Sequence, residues 1–167
     1  MKVKKMHPDA VIPKYAQQGD SGFDLVAVED VVINPGETKL IKTGLAFDIP
    51  EGFEIQVRPR SGITLKTKLR VQLGTIDSNY RGEVGVIVDN ARREDFLESR
   101  VLYAPLNITE ELAMNSGHFT YGTYFICKGD RIAQGVLAPV ARTEFEVVDK
   151  LSDSDRGSNG YGSTGVN

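Results

Sequence analysis

Apolar and polar residues alternate with a period of two through most of this chain. Phe53, Ile55 and Val57 alternate with Glu54, Gln56 and Arg58, the clearest such run, and predict a half-buried strand. Leu69, Val71 and Leu73 alternate with Arg70, Gln72 and Gly74, and Val84, Val86 and Val88 follow with Gly85 and Ile87 on the opposite face. Between these two runs stand the turn formers Asp77-Ser78-Asn79. The segment is therefore predicted to be a hairpin whose tip carries a carboxylate and an aromatic, Tyr80. Val31-Val32-Ile33 leads into Asn34-Pro35-Gly36-Glu37, a strong turn, and strand character resumes from Lys39 to Ile49. Pro50-Glu51-Gly52 turns the chain again. Later strands are predicted over Thr123–Lys128, Arg131–Val140 and Glu144–Val148, with a turn at Gly129-Asp130. Ile63–Thr67 suits a helical turn or two. Asn107, with Glu110 three residues on, suits the start of a short helix over Asn107–Leu112. Short strands with Gly/Pro punctuation predict an all-β antiparallel sandwich or barrel.

Length and composition add limits. At 167 residues, with 40% hydrophobic residues spread throughout, one domain with a substantial core is expected. The balance of 20 basic against 23 acidic residues, a net of −3, argues against bulk nucleic-acid binding and leaves room for a local anion pocket. Two histidines and one cysteine nearly exclude a zinc site. Cys127, beside Tyr124, Phe125 and Ile126, reads as a small buried hydrophobe in a reducing compartment. No apolar run reaches membrane-spanning length and no signal-peptide core follows Met1, so a soluble, cytoplasmic protein is expected. From Asn90 to about Tyr121 the strand rhythm lapses. A structureless loop of that length is unusual in a compact domain, so about 91–121 is read as an insertion with some order of its own. Residues 152–167 are glycine-rich with almost nothing to bury, and their composition is that of a mobile arm. The expected organisation is a domain over 1–151 followed by that arm.

Five polar clusters carry candidate chemistry. Asp24, in Asp20–Ala27, is either a turn-closing carboxylate or an anchor for magnesium or arginine. Pro59-Arg60-Ser61-Gly62 offers a guanidinium and a hydroxyl to an anion, or is a plain strand-to-helix turn. Gly74–Gly82 carries Asp77, whose simplest role is turn chemistry with its own backbone. In Gly129–Gln134, Asp130 and Arg131 read as structural and Gln134 as a polar contact to phosphate. Arg156–Gly165 combines glycines, hydroxyls and an arginine suited to phosphate with a tyrosine suited to base stacking. It lacks the Gly-Lys-Ser/Thr and the strand-to-helix context of a P-loop.

In this order and type, the five clusters resemble the homotrimeric dUTP diphosphatase (dUTPase) family. Asp9-Ala10-Val11-Ile12-Pro13 resembles the family's start, and the match covers roughly 1–90 and 122–167. The resemblance implies a jelly-roll-like distorted β-barrel and a threefold trimer with active sites between subunits. The implied reaction converts dUTP and water to dUMP and pyrophosphate, keeping uracil out of DNA and supplying dUMP for dTTP synthesis. Carried onto this chain, it makes Asp77 the general base for a water attacking the α-phosphate, a task needing an ionised carboxylate within hydrogen-bond reach. Gly74, Thr75 and Ile76 would read uracil by their backbone, and Tyr80 would press on the deoxyribose. Arg60, Ser61, Gly62 and Gln134 would hold phosphates. Asp24 would act near Mg²⁺ through water. The arm would close as a lid, with Tyr161 over uracil and Arg156, Gly162, Ser163 and Thr164 at the γ-phosphate end.

Three features depart from the family pattern. Gly135 stands where a larger apolar residue is commoner, which predicts a looser strand. Tyr161 replaces the commoner phenylalanine. The insertion resembles those of dUTPases from phages of Gram-positive bacteria, some of which contact repressor proteins. Its charge run Arg92–Asp95 and apolar Phe96, Leu97, Val101 and Leu102 suggest a protein partner, or a loop packed on its own subunit. Two alternatives to the diphosphatase are kept. A dCTP deaminase of the same fold would need a glutamate near the position of Ile87. A regulatory binding trimer would engage a protein partner through the insertion.

Overall fold

The computed structural model describes residues 1–93, 106–108 and 119–160. Eleven strands and one short helix are assigned there: β1 (Lys2–Lys5), β2 (Phe23–Val26), β3 (Val31–Ile33), β4 (Thr38–Lys42), β5 (Leu45–Asp48), β6 (Phe53–Pro59), α1 (Ser61–Lys66), β7 (Leu69–Val71), β8 (Gly74–Ile76), β9 (Gly85–Asn90), β10 (Tyr124–Ile126) and β11 (Arg131–Pro139). They form antiparallel sheets in the orders β2-β11-β6-β8 and β4-β9-β7, plus the pairs β1-β5 and β10-β3. The inward residues of these small sheets share one core. It contains Leu25, Ile33, Ile41, Leu45, Ile55, Leu69, Val86, Tyr124 and Ile132, all essentially excluded from solvent. Removing a side chain such as Ile55 from that core costs about 2–5 kcal/mol.

The alternation in β6 is realised at Ile55 and Val57, buried between exposed or half-buried neighbours, whereas Phe53 at the strand's start is exposed. The Asn34–Glu37 turn closes by the Glu37 N–H donating to the Asn34 carbonyl at 3.0 Å, with Gly36 at φ +76°. The predicted run from Lys39 to Ile49 is broken into β4 and β5 at Gly44, whose φ is +67°.

Four expectations change. The predicted hairpin exists only at its base, where β7 pairs with β9 through Val71↔Val88. After Gln72 the chain leaves that sheet, and Leu73 is 79% exposed. β8 then joins the other sheet as an edge strand on β6, with Ile76 opposite Ile55 and Gly74 opposite Val57. Period-two alternation records which face a residue occupies, not which strand it pairs with, so the exchange left no mark on the pattern.

Glu144–Val148 is not a strand within the chain, and Phe145 and Val147 are 94% and 97% exposed. An extended segment becomes a strand only with a ladder partner, and this one has none among the described residues. Cys127 is exposed, because β10 ends at Ile126 and the cysteine falls in the turn closed by its own N–H to Asp130 Oδ2 at 2.8 Å. The strand at Gly135 is not loosened, since the Phe23 ring fills the space. A Cβ built at 135 would come 2.5 Å from Phe23 Cζ.

Of the expected helix at 107–112 only its first two residues are described. Leu106 bridges in parallel to Tyr124 beside them. The neck of the insertion is held by Asn90, whose buried amide donates to the carbonyls of Ile33 and Gly122 at 3.1 and 2.9 Å. Arg92 lies over the rings of Tyr121 and Tyr124, 5.6 Å from each centroid.

Candidate active site

β11 lies between β2 and β6, and this order assembles a row of polar side chains. In register, Gln134 is opposite Asp24 on β2 and Arg58 on β6. Asp24 is a half-buried residue between the buried Phe23 and Leu25, so it points away from the core. Its Oδ1 takes the Arg60 Nε at 3.0 Å and its Oδ2 takes the Arg131 Nη1 at 3.3 Å. The Arg60 Nη1 also donates to the Arg131 carbonyl at 3.0 Å. Gln134 Nε2 donates to the Pro59 carbonyl at 3.3 Å, which ties the end of β6 to β11. Gly22 packs close to this amide: a Cβ there would sit 2.8 Å from Gln134 Oε1 and displace it.

These groups line a cleft of about 910 Å³ together with Ser61, Gly62, Lys14, Lys66 and Arg58. Asp24, Arg60, Ser61, Gly62 and Gln134 are thus brought together from three segments of the chain. One carboxylate shared by two guanidiniums leaves a net positive charge, and a partly desolvated positive cleft suits a polyphosphate. Lys14, Lys66, Arg58 and Arg131 were not predicted as site residues. Lys66 was findable from its i, i+4 spacing to Gly62 once a helix was expected there. Lys14 and Arg58 carry no comparable spacing.

Asp130 behaves as expected of a structural residue. Burial raises its carboxyl above the usual 3.8, partly opposed by the Cys127 N–H, and Asp30 adds to the rise. The Cys127 thiol is pushed up from 9.0, first by partial desolvation and then by Asp130 and Asp30, which favours its protonated form near neutrality.

The Asp77 segment lies elsewhere. A second hollow of about 400 Å³ is lined by Gly74, Thr75, Leu73, Gln56, Val57 and Arg58. Ile76 ends β8, and the Tyr80 N–H donates to the Asp77 carbonyl at 3.1 Å, so Asp77 opens a tight turn. The half-exposed Tyr80 ring covers Gly82, and its hydroxyl donates to the Glu83 carbonyl at 3.0 Å. Arg81 pins the turn from outside. It donates to the Ser78 carbonyl and to Asp48 Oδ1, each at 2.6 Å. Lys2 and Arg81 together hold the Asp48 carboxyl below its usual 3.8. Neither Arg81 nor Asp48 was singled out in the sequence, since 33 residues separate them and nothing local marks the pair.

Arg156 donates to the carbonyls of Asn159 and Gly160, within its own turn, and does not line the cleft. Tyr161, Gly162, Ser163 and Thr164 lie outside the described residues, as do Phe96, Leu97, Val101 and Leu102.

A resident metal finds no cage in the described residues. No three of their His, Cys, Asp or Glu side chains converge, and both oxygens of Asp24 face arginines. Asp24 thus makes the arginine pairing that the sequence allowed for it. No helix of the described residues is long and apolar enough to cross a membrane.

Comparison with known proteins identifies the family. A family model described as dUTPase matches residues 8–98 and 113–165, leaving out part of the expected insertion. A deoxyuridine 5'-triphosphate nucleotidohydrolase of Picosynechococcus is 46% identical over 169 residues, covering 99% of each chain. A chain of this extent is therefore not confined to phages. The structure of the Staphylococcus bacteriophage 80alpha dUTPase with dUpNHpp superposes with a TM-score of 0.91 at 35% identity, covering 99% of this chain and 98% of that one. A mutant dUTPase of phage phi11 of S. aureus, described with a structural Mg(II) ion, gives 0.86 at 31% identity over 91% and 98% of the two chains.

Proposed function

Because this chain belongs to the dUTPase family, we propose that it hydrolyses dUTP with Asp77 as the base and the Arg60–Gln134 cleft as the phosphate seat. The enzyme is a dUTP diphosphatase with a jelly-roll-like fold. In the proposed mechanism Asp77 takes a proton from a water as the water's oxygen attacks the α-phosphorus. The α–β bridging bond breaks, giving dUMP and pyrophosphate. Positioning and charge neutralisation supply most of the rate enhancement in such phosphoryl chemistry. Arg60, Ser61, Gly62 and Gln134 hold the phosphates, while Asp24 fixes the Arg60 guanidinium. The backbone of Gly74, Thr75 and Ile76 reads uracil and Tyr80 packs on the deoxyribose. The arm, through Arg156, Tyr161, Gly162, Ser163 and Thr164, closes over the bound nucleotide.

Mg²⁺ would accompany dUTP and neutralise phosphate charge, with Asp24 acting near it through water. Asp24 stands with Arg60 in the proposed phosphate cleft, which supports that placement, since Mg²⁺ typically keeps several waters.

The observation that carries the assembled form is a separation. Ile76 pairs with Ile55, and Arg60 follows the far end of β6, five residues away, or roughly 16 Å at strand rise. A base beyond Ile76 and a phosphate seat at Arg60 serve one nucleotide when they come from different subunits. This supports a homotrimer with shared sites. The exposed Phe145, Val147 and Leu151 offer apolar surface for a neighbouring subunit to cover. The cytoplasm of a bacterium or phage-infected host is the compartment that fits this reading.

A deaminase finds no support, since Ile87 lies on the outer face of β9 opposite Leu40 and supplies no carboxylate. A second role, in which the insertion at 91–121 engages a repressor-type protein, is suggested by phage dUTPases, described as controlling transfer of virulence genes. Unchanged partner binding after deletion of 91–121 would remove it. The reaction itself is tested by pyrophosphate release from dUTP, dTTP, dCTP and UTP, each with Mg²⁺ and with EDTA. Turnover of dUTP alone, abolished by EDTA, is expected; equal turnover of dTTP would overturn the assignment.

A further inference from the structure

We infer that Lys66 is a further phosphate-binding residue of the cleft, contacting the pyrophosphate part of the nucleotide; this rests on the dUTPase reading of that cleft. α1 is anchored by the buried Ile63, and Lys66 stands in its last turn. Gly62 and Lys66 are four residues apart and therefore share a helix face. Helical side chains lean toward the N-terminus, so Lys66 covers the surface over Gly62. That surface is clear: a Cβ built at Gly62 meets nothing within 4 Å. Gly62 and Lys66 both line the cleft. The missing side chain at 62 therefore leaves a lane along which the Lys66 ammonium reaches the anion held by Ser61.

Charge pairing points the same way. The acidic groups of the cleft are engaged: Asp24 by Arg60 and Arg131, Asp20 by the Gln17 N–H at 2.7 Å, and Asp130 by the Cys127 N–H. Lys66 makes no ion pair with any described residue, so its charge is unbalanced until an anion enters. A flexible ammonium with three donors suits the terminal part of a polyphosphate, where position is less exacting than at the reacting phosphorus.

The test measures binding of inorganic tripolyphosphate by calorimetry, and dUTP turnover, for wild type, Lys66→Ala, Lys66→Arg and Leu65→Ala. Leu65 is 86% exposed on the same helix and controls for changes in α1 itself. Lys66→Ala is expected to weaken tripolyphosphate binding and raise the KM for dUTP by about 10-fold, with kcat within about twofold. Lys66→Arg should recover most of the loss, Leu65→Ala should lose nothing, and the Lys66→Ala effect should shrink with added salt. Unchanged tripolyphosphate affinity in Lys66→Ala, or a fall in kcat at unchanged KM, would overturn the inference. Lys66-dependent tripolyphosphate binding in an enzyme that fails to turn over dUTP would uphold the inference and sink the reaction assignment instead.

Discussion

Asp77 and Arg60 belong to opposite ends of β6: Asp77 follows the residue paired with Ile55, and Arg60 follows Pro59. The relationship arises because β8 leaves its expected hairpin partner and adds to the edge of the sheet that carries the phosphate cleft. In the proposed mechanism it gives each subunit a base at one end and an anion seat at the other. Each would then complete the site of a neighbour.

If Asp77 acts only on the attacking water, Asp77→Asn removes the chemistry and spares the ligand contacts. Turnover should fall by at least about 10²-fold. The oligomeric state and the affinity for a non-hydrolysable dUTP analogue should stay unchanged, as checked by light scattering and calorimetry. The turn itself is held by Arg81 and the Tyr80 N–H rather than by the Asp77 side chain.

Removing residues 154–167 should leave thermal unfolding unchanged, because the described part of that segment is exposed throughout and buries nothing. Turnover should nonetheless drop strongly. A truncated enzyme with normal kcat/KM would show that no lid is needed.

Phe23 occupies the volume that a side chain at 135 would take, and its ring also meets Phe47 and Tyr15 at 6.0 and 5.9 Å between centroids. Gly135→Val should therefore destabilise the fold by about 1–3 kcal/mol, the usual range for overpacking. Adding Phe23→Leu should recover part of that loss. The pair then shows coupling in a double-mutant cycle measured by denaturant unfolding.

The Glu37 carboxyl is held below its usual 4.5, chiefly by the Asn34 N–H, which donates to Oε2 at 2.9 Å, with Lys39 nearby. A depressed acid contributes stability above its unfolded pKa and loses it as pH falls through the folded value. Glu37→Gln should lower Tm at pH 7, and the gap to wild type should close as pH drops through and below 4.5. A gap independent of pH would mean that the carboxylate charge is irrelevant to the turn.

The strands of this protein were legible where burial on one face imposes alternation, as in β6, and where a turn is chemically explicit, as at Asn34–Glu37. The phosphate cleft was legible because Arg60-Ser61-Gly62 and Gln134 are contiguous motifs. Long-range choices were not. The transfer of β8 to β6, the pinning of the Asp77 turn by Arg81 and Asp48, and the filling of Gly135 by Phe23 each join residues far apart in sequence. Cys127 misled because it follows an apolar run by one residue, just past the point where the strand ends. Glu144–Val148 has a strand's composition without a strand partner among the described residues.

The subunit-shared site is tested most directly by co-expressing Asp77→Asn and Arg60→Ala chains and assaying the mixed oligomers. Each parent alone should be nearly inactive. With random assembly, half the sites draw an intact Asp77 and half of those an intact Arg60, so about a quarter of wild-type activity should return. Activity no higher than the average of the two parents would contradict the account and return the whole site to a single chain.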